Sequence, residues 1–206
     1  VLPEEGAIYC KGDFSSQEPR WITHFAYLAK CDGAAELRQR YIEDRHLDMH
    51  MWARDLIAEK TGVELERRPV KDINLGLAYG MGKPLLASKI GMSLDDAKGL
   101  FAAYHAAIPF MGQIADKASK RAQELGLIRT WGGRLRRFEL WESTEWDQKG
   151  LFKSREACVQ QWGSARTAKT HKALNSAVQG TAADQIKQAI VDLWRSGDLP
   201  LLQVYD

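Results

Sequence analysis

No apolar run in this chain approaches the ~20 residues of a membrane-spanning helix, and the mean hydropathy is −0.39. The N-terminal residues, Val1-Leu2-Pro3-Glu4-Glu5, are acidic and lack the apolar stretch of a signal peptide. Cysteine is scarce: Cys10, Cys31 and Cys158 are odd in number, far apart and never in a CxxC pair. That argues against a disulfide framework or a zinc site and suits a reducing cytoplasm. With 17 glycines and 6 prolines in 206 residues, collagen and low-complexity linkers are excluded. What is present is ordinary globular material, 45% hydrophobic and 27% charged, enough for one domain or a large piece of a bigger one.

The net charge of +2 conceals an asymmetry. Residues 1–66 hold 8 Lys+Arg against 13 Asp+Glu, a net of −5, while residues 67–206 hold 21 against 14, a net of +7. Carboxylates that hold cations beside a basic surface that meets phosphates would give this pattern. Ordinary scatter of surface charge would give it too.

The pattern along the chain is mostly helical. Residues 7–14 are expected as a short strand ending at Asp13, followed by an N-cap at Ser15-Ser16 and a helix over 18–30 with Pro19 in its first turn. Further helices are expected at 48–60 (stopping at Gly62), 67–80, 83–90, 94–106 and 110–125. Residues 127–138 read as a hairpin turning at Gly132-Gly133. The stretch 139–163, rich in Trp and charge, reads as a surface insertion. Helix returns from about 164 to Trp194, with a break expected near Gly180, and 201–206 reads as a strand ending in Asp206. A strand that stops at its carboxylate suggests a truncated piece of a longer chain.

Three groups of residues could carry chemistry. Asp13 and Asp206 each end a strand, where a carboxylate can hold Mg²⁺ beside substrate phosphates; Asp also simply terminates strands. In Arg67-Arg-Pro-Val-Lys71-Asp-Ile-Asn-Leu75-Gly-Leu-Ala-Tyr79-Gly80, the residues Arg67, Lys71, Leu75 and Tyr79 recur every fourth position and so share one slowly turning helix face. The cations lie at the N-terminal end, where the helix dipole already favours anions. A nucleoside triphosphate matches that order, and so does an amphipathic helix with a basic rim. Asn175 and Gln179, also four apart, could donate to minor-groove acceptors, which every correct base pair presents, or could satisfy a helix–helix interface. Two other patterns fail on inspection. Gly76 to Pro84 mimics a P-loop, but the spacing is one residue long and Pro84 replaces the Ser/Thr; His46 and His50 have zinc-helix spacing without the HExxH glutamate.

Taken together, these segments resemble family A DNA polymerases, the bacterial DNA polymerase I type and its phage relatives. Asp13-Phe-Ser-Ser-Gln-Glu18-Pro-Arg20 resembles motif A (DYSQIELR), and Arg67 to Gly80 resembles motif B (RxxxKxxxFxxxYG). Thr130-Trp-Gly-Gly-Arg134-Leu-Arg136-Arg137 resembles TxxGRRR, Asn175 to Asp184 resembles NxxxQGTAAD, and Gln203-Val-Tyr205-Asp206 resembles motif C (QVHDE). All occur in family order across essentially the whole chain.

The resemblance implies a mostly helical α+β fold. Residues 1–35 would form part of the palm, residues 36–165 the fingers with an insertion near 139–163, and residues 166–206 the return to the palm, with short antiparallel palm strands. It implies template-directed transfer of a nucleotide from a dNTP to a primer 3′-hydroxyl. Two Mg²⁺ would be held by Asp13, Asp206 and the Phe14 carbonyl. Arg67, Lys71 and His50 would contact the triphosphate, Lys71 also serving catalysis, and Leu75 would face the sugar. Glu18 with Tyr79 would gate against a 2′-hydroxyl. Arg134, Asn175 and Gln179 would contact primer–template, and the basic residues of 117–137 would meet DNA phosphates. Leu75 stands where Phe or Tyr is usual, Tyr205 where His is, and His171 where Arg is common, while no acidic residue follows Asp206. The long insertion and the QEPR wording of motif A point toward a phage member. The 206-residue piece alone is expected to be inactive. The rivals are a single-subunit phage-type RNA polymerase, against which Glu18 speaks, and a catalytically silent DNA-binding module, which would not need the metal carboxylates.

Overall fold

The computed structural model describes Glu5, Gly6, Ile8, residues 10–145 and residues 150–198, less the side chains of Lys60 and Thr61. Helices run α1 Gln17–Leu28, α2 Ala34–Glu43, α3 Met49–Thr61, α4 Arg67–Ala78, α5 Lys83–Ile90, α6 Leu94–Ala107 and α7 Pro109–Leu125. A hairpin of β1 Leu127–Arg129 and β2 Leu135–Arg137 follows, then β3 Trp141–Glu142, α8 Arg155–Trp162, β4 Arg166–Thr167, a 3-10 turn at Thr170–Lys172 and α9 Ala173–Ser196. Among the described residues the fold is mostly helical with two small antiparallel sheets, β1–β2 and β3–β4.

Helix α7 organises the core. Phe110, Ile114, Ala118 and Ala122 recur every fourth residue and are buried, so one face meets neighbours along its length. Around it pack α1, α4, α6 and α9, bringing in Ile22, Ala26, Ile73, Tyr104, Leu174 and Val178, all at 2% exposure or less. Local signals agree with the helix limits. Pro109 opens α7 at a position where its missing N–H costs nothing. Ser93 caps α6 by accepting from the Asp96 N–H at 3.1 Å. At the end of α4 the Gly80 N–H donates to the Leu77 carbonyl and the Met81 N–H to the Gly76 carbonyl. That paired closure needs the left-handed φ of 83° that Gly80 adopts.

Several expectations are corrected. Helix α2 was not anticipated, because Ala34, Leu37 and Tyr41 are its only buried residues and its remaining residues carry no apolar stripe. The described residues of 7–14 form no strand; a strand exists only beside a partner backbone, and its expected neighbour, 201–206, lies outside the described residues. Ser16 takes a left-handed conformation and makes no side-chain cap. Residues 164–172 form β4 and the 3-10 turn rather than helix, and α9 then runs unbroken through Gly180. The ~1 kcal/mol propensity cost of a helical glycine is overridden there by packing, as shown below.

The stretch 139–163 is more ordered than its composition suggested. Trp141 pairs with Thr167 and Glu142 with Arg166. The Glu142 carboxylate, buried, accepts from Arg166 Nε at 3.1 Å and from the Gly150 N–H at 3.1 Å. Arg155 lies over the Trp141 ring and Lys169 over Phe152, which places the charge–aromatic composition in cation–π contacts. Cys158 is fully buried here, outside the main apolar cluster.

Candidate active site

Helix α4 buries Val70, Ile73, Asn74, Leu77 and Ala78, and this fixes what its other face presents. Arg67 and Lys71 are exposed, while Leu75 and Tyr79 are half-buried. Leu75 belongs neither to the core cluster nor to the side chains packed on it, whereas Tyr79 does pack on it. The face therefore runs from open cations to sheltered apolar and phenolic groups.

Each end of this face is tied to another helix. At the cationic end, Arg67 Nε and Nη2 both reach Asp48 Oδ2 at 2.7 Å. The other oxygen of Asp48 caps α3, accepting from the His50 and Met51 N–H groups at 2.8 and 3.3 Å. Burial pushes the Asp48 carboxyl up, but the bonds from Arg67 and the two amides outweigh it and hold it below the usual carboxylate range. Two turns along α4 from Arg67, Asn74 Nδ2 meets His50 Nδ1 at 2.9 Å, with both side chains buried. Burial lowers the His50 pKa; Asp48 opposes this, and Arg67 and Lys71 add to it. At the phenolic end, the Tyr79 hydroxyl donates to Glu18 on α1. Burial first, then the Glu18 bond and charge, push the Tyr79 phenol well above its ordinary pKa, so it remains a donor. This contact joins two segments 61 residues apart.

A second cluster ties the β1–β2 turn to α9. Thr130 donates to Asp184 Oδ2 at 2.6 Å, and its hydroxyl oxygen accepts from the Arg134 N–H at 3.1 Å. Arg134 Nε donates to Asp184 Oδ1, and Nη2 donates to the Gly180 carbonyl at 2.8 Å. The Trp131 N–H donates to Thr181 Oγ1 at 3.0 Å. The backbones approach so closely that a Cβ on Gly132 would lie 2.6 Å from Asp184 Oδ2, and one on Gly180 2.6 Å from Thr130 Cγ2. Helix α1 joins the same rod: Gln17 Nε2 donates to the Ala182 carbonyl at 3.2 Å, and Trp21 Nε1 to Gln185 Oε1 at 2.8 Å. Beside these contacts, Phe14, Gln17, Trp21, His24 and Trp131 line a cleft of about 390 Å³.

The structure thus brings Glu18 to Tyr79, and Arg67, Lys71 and His50 to the N-terminal side of α4. Arg134 has two donors engaged within the protein. Asn175 is half-buried, its Oδ1 without a hydrogen-bond partner among the described residues, and Gln179 is exposed. Asp13 and Phe14 are exposed, and Asp206 lies outside the described residues, as do Tyr205 and Gln203. Asp48, Asn74, Thr130 and Asp184 were not singled out from the sequence. Asp48 carried a signal, an N-cap residue opening a helix. Asn74 carried another, a polar residue on the core-facing side of α4.

Comparison with known proteins bears on the family of the chain. The family profile described as DNA polymerase family A matches residues 1–203. A DNA-directed DNA polymerase of Pseudomonas phage M6 is 28% identical, over all of this chain and 33% of its own length. DNA polymerase I of Pseudomonas aeruginosa is 34% identical over 94% of this chain and 20% of its own length. The DNA polymerase DpoZ of Vibrio phage phiVC8 is 31% identical over 66% of this chain and 24% of its own. The chain therefore spans a third or less of the length of these relatives. Among solved structures, the POL domain of Pol1 from M. smegmatis, in complex with DNA primer-template and dNTP, aligns with a TM-score of 0.59 and 26% identity, over 87% of this chain and 29% of that one. No helix among the described residues is long and apolar enough to cross a membrane. With the motif segments packed on one another as described and the profile spanning nearly the whole sequence, the chain belongs to DNA polymerase family A.

Proposed function

We propose that this chain forms the fingers and adjoining palm of a DNA-directed DNA polymerase, with residues 1–35 and 166–206 in the palm and 36–165 in the fingers. The reaction is attack of a primer 3′-hydroxyl on the α-phosphate of a dNTP, with loss of pyrophosphate. The observation that carries this reading is the graded face of α4: open Arg67 and Lys71, then sheltered Leu75, then Tyr79 tied to Glu18 five residues from Asp13. Arg67, Lys71 and the His50 ring would receive the triphosphate, Leu75 the sugar, and the Glu18–Tyr79 pair would occupy the space of a 2′-hydroxyl. That pair favours a deoxynucleotide over a ribonucleotide substrate. Asn175 and Gln179 on α9, and Arg134 through its remaining donors, would meet primer–template.

Mg²⁺ fits the donors that are present. Asp13 carries an exposed carboxylate with no ion pair among the described residues, which is the hard oxygen donor this cation takes. The described residues hold no group of three metal-ligating side chains, so the second carboxylate would be Asp206, with the Phe14 carbonyl beside Asp13. When bound, two such ions neutralise charge on the phosphates and polarise the reacting oxygens. The protein's own contribution is to hold the triphosphate and fix the sugar.

The test is Lys71→Ala in the polymerase that carries this chain. Lys71 is exposed and has no hydrogen bond or ion pair among the described residues, so its removal should leave thermal stability unchanged. A charge-assisted phosphate contact contributes ~1.5–3 kcal/mol, so single-turnover extension at limiting dNTP should slow by about tenfold or more. An unchanged rate removes α4 from the substrate site.

A further inference from the structure

We infer that Asn74 is a positioning residue for triphosphate binding, holding His50 as the neutral tautomer whose Nε2–H is free to donate to a phosphate oxygen. The inference rests on the proposed function, in which His50 meets the triphosphate.

Asn74 projects from the core side of α4, not from its open face, and is 1% exposed. An amide there is out of place on packing grounds. Its Oδ1 has no hydrogen-bond partner among the described residues, and leaving a buried acceptor unmet costs ~1–3 kcal/mol. A helix that needed only to pack would carry Leu or Met at this position. What the amide does make is one contact, Nδ2 to His50 Nδ1 at 2.9 Å. With Nδ2 as the amide atom facing the ring, the amide donates to an unprotonated Nδ1, which places the ring proton on Nε2.

Two further observations point the same way. His50 is 8% exposed, and its burial opposes the imidazolium form, so the ring would meet an anion as a dipole rather than as a cation. Asp48, two residues before it, caps α3 through the His50 N–H and holds Arg67 with its other oxygen. The backbone of His50 and the guanidinium of Arg67 are thereby fixed to one carboxylate, and Asn74 fixes the remaining freedom, the ring. With the opposite tautomer, Nε2 would present a lone pair to a polyanion and repel it.

The decisive measurement is the tautomer itself, read in long-range ¹H–¹⁵N spectra of ¹⁵N-histidine-labelled polymerase. A protonated Nε2 on His50 is expected; a protonated Nδ1 overturns the inference. Function is read with Asn74→Leu, which keeps the branching of the side chain and exchanges one unmet acceptor, Asn74 Oδ1, for another, His50 Nδ1. Its melting temperature should stay close to the parent's while dTTP affinity falls about tenfold and thymidine affinity stays unchanged. His50→Gln places an N–H where Nε2–H was, so Asn74→Leu should cost no further triphosphate affinity in that background. If Asn74→Leu leaves dTTP binding intact while His50→Ala weakens it, Asn74 is a packing residue and the inference falls alone. If His50→Ala also leaves binding intact, the triphosphate role of His50 falls with it.

Discussion

Replacing Gly180 by alanine sets two opposed effects against each other within one helix. Alanine in a helix interior is favoured over glycine by ~0.8–1.0 kcal/mol, so a glycine retained mid-helix should be improvable. In this chain the added Cβ would lie 2.6 Å from Thr130 Cγ2. The methyl cannot swing aside, because rotating Thr130 would break its hydroxyl's bonds to Asp184 and to the Arg134 N–H, at 2.6 and 3.1 Å. Overpacking of this kind costs ~1–3 kcal/mol, so Gly180→Ala should be destabilising by ~1 kcal/mol, or about 2–4 °C for a chain of this size. Thr130→Ser removes the offending methyl and keeps the hydroxyl. The next contacts, Arg134 Nη2 and Thr130 Cβ at 3.8 Å, are ordinary. In that background Gly180→Ala should stabilise by ~1 kcal/mol, a reversal of sign. Melting curves of the four proteins by circular dichroism decide it. A rise in melting temperature for Gly180→Ala alone, or no reversal beside Thr130→Ser, would refute the claim that the hairpin turn dictates glycine on α9.

Three other outcomes are expected. Glu18→Ala should lower the ratio of dNTP to rNTP incorporation under single-turnover conditions, by an order of magnitude if the Tyr79-bound carboxylate excludes the 2′-hydroxyl by ~1.4 kcal/mol; an unchanged ratio removes Glu18 from the gate. Leu75→Tyr should increase acceptance of dideoxynucleotides, since it adds a hydroxyl beside the sugar. If it instead lowers the melting temperature by the ~1–3 kcal/mol of overpacking with discrimination unchanged, Leu75 is a packing residue. Burial holds the pKa values of His24, His50 and His105 below their ordinary value. The unfolded chain binds protons near pH ~6.5 and the folded chain only lower, so this stability is fully present above pH ~6.5 and lost as the pH falls from there. Melting temperature should therefore drop between pH 7 and 5, and a flat profile over that range contradicts it.

Helix periodicity was the most legible feature of the sequence. The limits of α3, α5, α6 and α7 lie within one residue of expectation, because start signals such as Asp48, Ser93 and Pro109 sit where the apolar pattern begins. Helix α2 escaped although Ala34, Leu37 and Tyr41 share one face, because an alanine and two larger side chains make a short, weak apolar signal. The break at Gly180 was wrong for a different reason: propensity is a local quantity, and the Thr130 methyl that requires a glycine is 50 residues away. The open face of α4 was readable because its spacing is local to one helix. Its supports, Asp48 and Asn74, were not, because their roles depend on how α3 lies against α4. Asp184 stood in a quoted motif with no role assigned, since only the folded turn brings Thr130 and Arg134 to it.

The excursion between β3 and β4 leaves and rejoins the chain at directly opposed residues, Glu142 and Arg166. Its two ends are thus one inter-strand distance apart, ~4.7–4.9 Å, and the span a connector must bridge does not depend on how much chain hangs from it. The rest of the domain sees a closed neck. Its buried Cys158 lies apart from the main apolar cluster, so the core around α7 does not include it. Such a side branch can be lengthened to carry a tag as long as Gly150 still donates to Glu142, while Arg166 holds the same carboxylate from the opposite strand.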